Sequence, residues 1–322
     1  MQRKRSILAL VWAPEEARTA MFAERLGAKL YNIHFLEYKR PLVAPFKYVL
    51  QTIATLVTLF RESPSAIYVT NPPVFAALCV MVYAKLAGRH YVMDTHSPAL
   101  FIPKWKWSVP LQRIAARGAV LNVIDQERFK ALFESWGARA IVLERPPKQV
   151  DRLTLKQSEN GASFDIAVVN TFAADELLEP VLEAAKQLSN VRFLITGDKN
   201  RARPGMIENA PPNVVFTGYL RGDAYWNMLN ASRAGLSYTT LEYSLLGGAQ
   251  DGLALRKPLI MSRQPALQGY FTQATVFVDH TAESLVAAVR EVQAREAELT
   301  EEAGRLAQAR AEAWNTTFAE LK

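Results

Sequence analysis

Residues 239–262, TTLEYSLLGGAQDGLALRKPLIMS, decide how this chain is read. The run AGLSYTT (234–240) that leads into them is short and apolar like a strand, and the Gly247-Gly248 pair follows. DGLALRK (251–257) then carries a helical pattern, and PLIMS (258–262) is a second strand-like run. A strand, a glycine turn, a helix start and a strand make a parallel β-α-β unit. The same parts can hold an anion or a nucleotide, because the first amides of a helix point into the turn. Asp251, at the expected helix start, is placed to accept both hydroxyl protons of a ribose diol. The plainer alternative is a solvated acid favoured there by the helix dipole.

Outward from this unit the same texture repeats. Before it come FDIAVVN, a helical DELLEPVLEAAKQL, VRFLITGD, VVFTGYL and a helical DAYWNMLNAS; after it comes TVFVD. The first half alternates in the same way through SILALVW, KLYNIHFL, AIYVTN, HYVMDT, AVLNVID and AIVLE. Such alternation predicts parallel sheets covered by helices. Between the halves, RPPKQVDRLTLKQSENGAS is polar, broken by Pro146-Pro147 and without apolar period. The reading is therefore an α/β chain of two Rossmann-like, doubly wound domains, residues 1–150 and 164–322, joined by a linker at 151–163 and facing each other across a cleft. The final helix, from Ala282 onward with Trp314 and Phe318, is long enough to cross back to the first domain.

At 322 residues, half of them hydrophobic, the chain has material for two sizeable cores. The lone Cys79 excludes a disulfide framework and a cysteine-rich metal site, and suits a reducing, cytoplasmic compartment. MQRKRSILALVWAP imitates a signal peptide, but its apolar run is short and ends in Pro14-Glu15-Glu16, so a first strand is the reading. Residues 1–150 hold 21 Lys+Arg against 10 Asp+Glu, leaving 17 against 21 for the rest. A basic first domain suits a phosphorylated substrate or an anionic membrane surface; no nucleic-acid-binding motif is present, and no nucleic-acid partner is expected. PLVAPFKYVLQTIATLVTLF (41–60) is too polar to span a bilayer, and PPVFAALCVMVYAKLAG (72–88) is apolar nearly all round. Both are core helices, or one of them turns apolar surface to lipid beside Lys39, Arg40, Lys47, Arg61, Lys104, Lys106, Trp105 and Trp107.

Taken in order, PLVAPFKYVLQ, YVTNPPVFAAL, HYVMDTHSPAL, VVFTGYL and the Asp251 stretch resemble the GT-B glycosyltransferases. The first three are similar to the chitobiosyldiphosphodolichol β-mannosyltransferases, and more broadly to family 4-type nucleotide-sugar transferases. The resemblance implies a sugar transferred from a nucleotide diphosphate donor to a glycan acceptor, carried for example on a polyprenyl diphosphate at the cytosolic membrane face. It puts Asp251 on the donor ribose and His96 on the donor sugar. Asp94, two residues before His96 on the same strand side, would orient it or act as general base. Glu242 lies one residue off the first glutamate of the family's E-x7-E pattern and would reach the sugar or phosphate. Leu246-Gly247-Gly248 stand where the mannosyltransferases carry a Pro-Met-Lys, so a phosphate-binding lysine is missing. Amides of Gly247 and Gly248, hydroxyls of Thr239 and Thr240, or cations such as Lys199, Arg201 and Arg18 would replace it. Gly197, Asp198, Tyr219 and Leu220 resemble the loops that hold the base. No cofactor and no obligate metal are expected. Two other readings share the fold: a catalytically inactive nucleotide-sugar-binding scaffold, and a sugar-nucleotide epimerase.

Overall fold

The computed structural model describes residues 6–36, 43–145, 148, 150–157 and 163–321. Lys39 and Arg40 of the expected basic patch, and residues 158–162 of the expected linker, lie outside them. The chain divides into two units, residues 1–146 with 313–322, and residues 147–312.

The first unit is a six-stranded parallel sheet of β1 (Ile7–Val11), β2 (Lys29–Asn32), β3 (Ala66–Asn71), β4 (His90–Thr95), β5 (Leu121–Ile124) and β6 (Ala140–Val142), in the order β2-β1-β3-β4-β5-β6. Its helices are α1 (Ala17–Leu26), α2 (Ala44–Glu62), α3 (Val74–Ala87), the single turns α4 (Pro98–Phe101) and α5 (Pro103–Lys106), α6 (Val109–Gly118) and α7 (Lys130–Ser135). The apolar run of β1 is nearly all buried, because a parallel strand covered on both faces has no solvent side. Glu16 starts α1 by accepting the backbone N–H groups of Arg18 and Thr19, and Gly27, in the left-handed region, ends it.

The second unit is a parallel sheet of β7 (Phe164–Val168), β8 (Val191–Thr196), β9 (Val214–Gly218), β10 (Ala234–Ser237), β11 (Leu259–Ser262) and β12 (Thr275–Val278), in the order β12-β11-β10-β7-β8-β9. Its helices are α8 (Glu179–Gln187), α9 (Gly222–Ala231), α10 (Gly247–Ala254), α11 (Pro265–Tyr270), α12 (Ala282–Ala294) and α13 (Glu296–Phe318). All twelve strand-like runs of the sequence are strands, and both sheets are doubly wound. The end of α13 belongs to the first unit: Trp314 and Phe318 stack on each other and pack against Phe22 of α1, and Trp314 Nε1 donates to the Glu144 carbonyl at 3.1 Å. Part of the polar segment between the halves is held against the second unit. Val150 and Leu155 pack with Ala167, Leu229 and Leu255, and Asn230 Nδ2 donates to the Lys156 carbonyl.

Two local expectations are corrected. The final helix is not continuous from Ala282 but divides at Arg295 into α12 and α13, and it is the second of these that reaches Trp314 and Phe318. The Gly247-Gly248 pair is no turn but the first turn of α10, so Asp251 sits in the second turn of the helix rather than at its start. The reason is packing: a Cβ on Gly248 would lie 2.5 Å from the Val169 side chain, and one on Gly252 2.8 Å from Leu259. These glycines let the helix approach the sheet closely.

Candidate functional site

Ligands of open α/β sheets bind outside the carboxyl ends of the strands, where the strand order reverses. In the second unit that point lies between β7 and β10. The loops after both strands are tied together there. Thr239 Oγ1 donates to Asp175 Oδ2 at 2.8 Å, Thr240 N donates to the Asp175 carbonyl at 2.9 Å, and Ser262 Oγ accepts from Thr239 N. Thr239 is fully buried and so serves the loop framework, whereas the Thr240 side chain is exposed. Leu246, ahead of α10, has no capping side chain, which leaves the first amides of that helix open to an anion.

Asp251 is buried and accepts from Tyr225 of α9 at 2.9 Å, while Lys148 Nζ pairs with it at 2.8 Å and lies 4.7 Å from the centre of the Trp226 ring. The sequence reading missed Lys148 because it lies about a hundred positions from Asp251, within what reads as linker. Its only signal was a basic residue in a Pro-broken segment.

On the side of β7 away from β10, the turns after β8 and β9 meet, with Gly197 N donating to the Gly218 carbonyl at 3.1 Å. Gly197 has φ +126°, and a Cβ there would stand 2.7 Å from the Asn170 carbonyl and 2.8 Å from the Phe172 ring. Phe172 itself holds the left-handed conformation at φ +56°, a strained state for a bulky residue that is fixed by its N–H to Asn170 Oδ1 and by stacking on Phe216. A cavity of about 210 Å³ opens next to it, lined by Phe172, Glu176, Leu178, Arg201, Arg203 and Met206 among others. Phe172 and Arg203 were not foreseen. Asp198 caps the turn Lys199–Arg201, Tyr219 is exposed under the Arg221 guanidinium, and Leu220 is half-buried. Glu242 is exposed, and its carbonyl accepts from Ala266 N.

Asp94 and His96 lie in the first unit, at the end of β4. Asp94 is fully buried and clasped by Arg18, with Nε 3.1 Å from Oδ2 and Nη2 3.0 Å from Oδ1. Burial alone would raise its pKa; the Arg18 charge, and then His96, outweigh that and hold the carboxyl well below the usual carboxylate range. So depressed a group is a weak proton acceptor, and the arrangement favours the orienting role over that of general base. His96 Nε2 is 3.4 Å from Asp94 Oδ2, within ion-pair reach but without hydrogen-bond geometry. Burial lowers the His96 pKa and the Asp94 charge raises it further, for a net rise. Neighbouring strand ends fix the backbone on either side: His96 N donates to the Asn71 carbonyl at 2.9 Å, and Ser97 N donates to Asp125 at 3.1 Å. Arg18 is engaged within the first unit. Its guanidinium is spent on Asp94 and on the Leu143 carbonyl at 2.6 Å.

The sequence pattern of the family described as Glycosyl transferase-like matches residues 176–319. No curated protein matches the chain. Among solved structures, sucrose-phosphate synthase from Thermosynechococcus elongatus superposes with a TM-score of 0.73 at 12% identity, over 98% of this chain and 97% of that one. A glycosyltransferase from Rickettsia africae gives 0.72 at 12% identity, over 99% and 97%. Anabaena HepE in complex with UDP and glucose gives 0.71 at 14% identity, over 98% and 99%. The fold is GT-B. At these identities the likeness is one of fold, with two Rossmann-like units. The family match runs from the loop after β7 to the end of α13 in this GT-B chain.

Proposed function

We propose that the protein is a glycosyltransferase moving a sugar, a hexose in the first instance, from a nucleoside diphosphate donor held by residues 147–312 to a glycan acceptor held by the basic first unit. The observation that carries the reading is the strand-reversal point between β7 and β10. The uncapped start of α10 lies at that point, its second turn carries a buried carboxylate paired with Lys148, and an arginine-lined cavity opens at the loops after β7 and β8; α10 and both arginines of the cavity fall within the residues, 176–319, that match the glycosyl transferase-like pattern. HepE was solved with UDP and with UDP-glucose, which makes UDP sugars the first donors to try.

In the reaction an acceptor hydroxyl oxygen bonds to the anomeric carbon, the bond from that carbon to the donor's phosphate oxygen breaks, and the nucleoside diphosphate leaves with the electron pair. The acceptor proton passes to a base or to water. Asp251 is assigned to the ribose, the α10 amides and Lys148 to the charge that develops on the diphosphate, and Phe172 with Arg201 to the walls around the base. Lys148 thereby stands in for the lysine missing ahead of Asp251. His96, positioned by Asp94, is assigned to the sugar or the acceptor. No metal is required, and a polyprenyl diphosphate carrier would meet the cations of the first unit.

The test is to incubate the protein with radiolabelled nucleotide sugars and a panel of free and lipid-diphosphate-linked glycans. Neither transfer nor donor hydrolysis with any of them would sink the proposal. The inactive-scaffold reading draws on Asp251 being already paired with Lys148 and Tyr225. Donor binding in a calorimeter without turnover would favour it, and release of an altered free sugar nucleotide without acceptor would favour an epimerase.

A further inference from the structure

Helix α2 is mounted with its polar side inward. Gln51 Nε2 donates to the Ile33 carbonyl at 2.8 Å, Trp12 Nε1 donates to Thr55 Oγ1 at 2.9 Å, and Leu59 completes the buried face. These bonds fix the rotation of the helix about its axis. At 100° per residue the opposite face carries Phe46, Val49, Leu50, Ile53, Val57 and Phe60 within an arc of about 100°. All but Leu50 are more than half exposed. A stripe of this kind on an outer helix is an interaction surface rather than scattered apolar residues.

Its surroundings say what covers it. Tyr48 packs on Phe75, and Phe75 on Trp107, so the exposed Trp107 ring and the α5 turn lie beside the start of α2. Lys47 and Lys104 are close enough to repel each other there. Residues 43–124 hold eight Lys and Arg against two acids, Glu62 and Asp94. Both acids are already neutralised, Glu62 by Lys29 and Arg61, Asp94 by Arg18. A second copy of the chain would bring the same positive rim against itself. An anionic bilayer offers apolar acyl chains to the stripe and negative headgroups to the rim.

We propose that the outward face of α2, with Trp107 and the lysines of α5, docks the protein in the surface of an anionic lipid bilayer, the helix lying in the membrane plane. No helix among the described residues is long and apolar enough to cross a membrane. The surface is independent of the transfer reaction, so its failure leaves the donor site untouched.

The full chain is floated with vesicles of phosphatidylcholine, with and without phosphatidylglycerol. Binding is expected only with the anionic lipid and should weaken as salt rises. Ile53→Asp with Val57→Asp should reduce partition about tenfold or more, and Lys104→Glu with Lys106→Glu should reduce it on anionic vesicles. All four positions are exposed, and a cooperative thermal melt followed by circular dichroism without lipid reports that each variant is folded. Should the aspartate pair not fold, Phe46→Ser with Trp107→Ser replaces it. No vesicle binding by the wild type, or binding unchanged by the apolar substitutions, overturns the proposal. So does a dimer seen by light scattering that dissociates in Ile53→Asp, which would assign the stripe to a second copy.

Discussion

Asp251, His96 and Gly248 are the single residues at which the proposed site and its support are most directly tested. Asp251 combines burial with a lysine and a tyrosine, and its replacement separates binding from structure. Asp251→Asn is expected to weaken nucleotide binding about tenfold to hundredfold, since hydrogen bonds to a charged group contribute roughly 1.5–3 kcal/mol. Calorimetry checks this, and a lowered unfolding midpoint with unchanged affinity would show a structural acid only. The His96 pKa is raised from its ordinary 6.5, so the folded state holds the proton more tightly than the unfolded one. The stabilisation is fully present below pH 6.5 and is lost as pH rises through the raised value. The difference in unfolding midpoint between wild type and His96→Gln should therefore be largest in acid and close toward alkaline pH, as a series of thermal melts would record. Gly248→Ala puts a methyl 2.5 Å from Val169 and is expected to cost about 1–3 kcal/mol in urea unfolding.

At the scale of elements, strands were legible and helix boundaries were not. A strand buried on both faces is a run of apolar residues with nothing else to become, as β1 and β3 show. For α10 the sequence offers two glycines that read equally as a turn or as close packing; only the neighbouring Val169, some eighty residues away in sequence, decides between them. The end of α13 is the reverse case, since Trp314 and Phe318 stood out as apolar residues on a charged helix. Trp314 is buried against Phe22 and Phe318, so Trp314→Ala should destabilise the first unit by about 3–5 kcal/mol. A denaturant series followed by circular dichroism would measure the loss, and a change below 1 kcal/mol would mean that the helix end contributes little there.

At the scale of the whole molecule, the positive charge sits in residues 1–150 and a slight negative excess in the rest. The proposed donor half therefore relies on local groups, the α10 amides and Lys148, to meet a diphosphate. If these suffice, transfer measured in excess EDTA should equal transfer with magnesium; a loss of more than about tenfold would show that a cation completes the site. The sequence by itself determined the two doubly wound sheets, because alternating apolar runs and helical periods leave parallel β-α-β winding as the way to bury both faces. It also marked Asp94 and His96 at a strand end, and singled out Asp251 while misplacing it at the start of its helix instead of in the second turn. Only tertiary structure decided that Arg18 is spent on Asp94, that Lys148 reaches Asp251, and that α2 turns its apolar side outward. Each of these depends on side chains that meet across tens of residues or more, and a local pattern in the chain carries no record of which distant partner completes it.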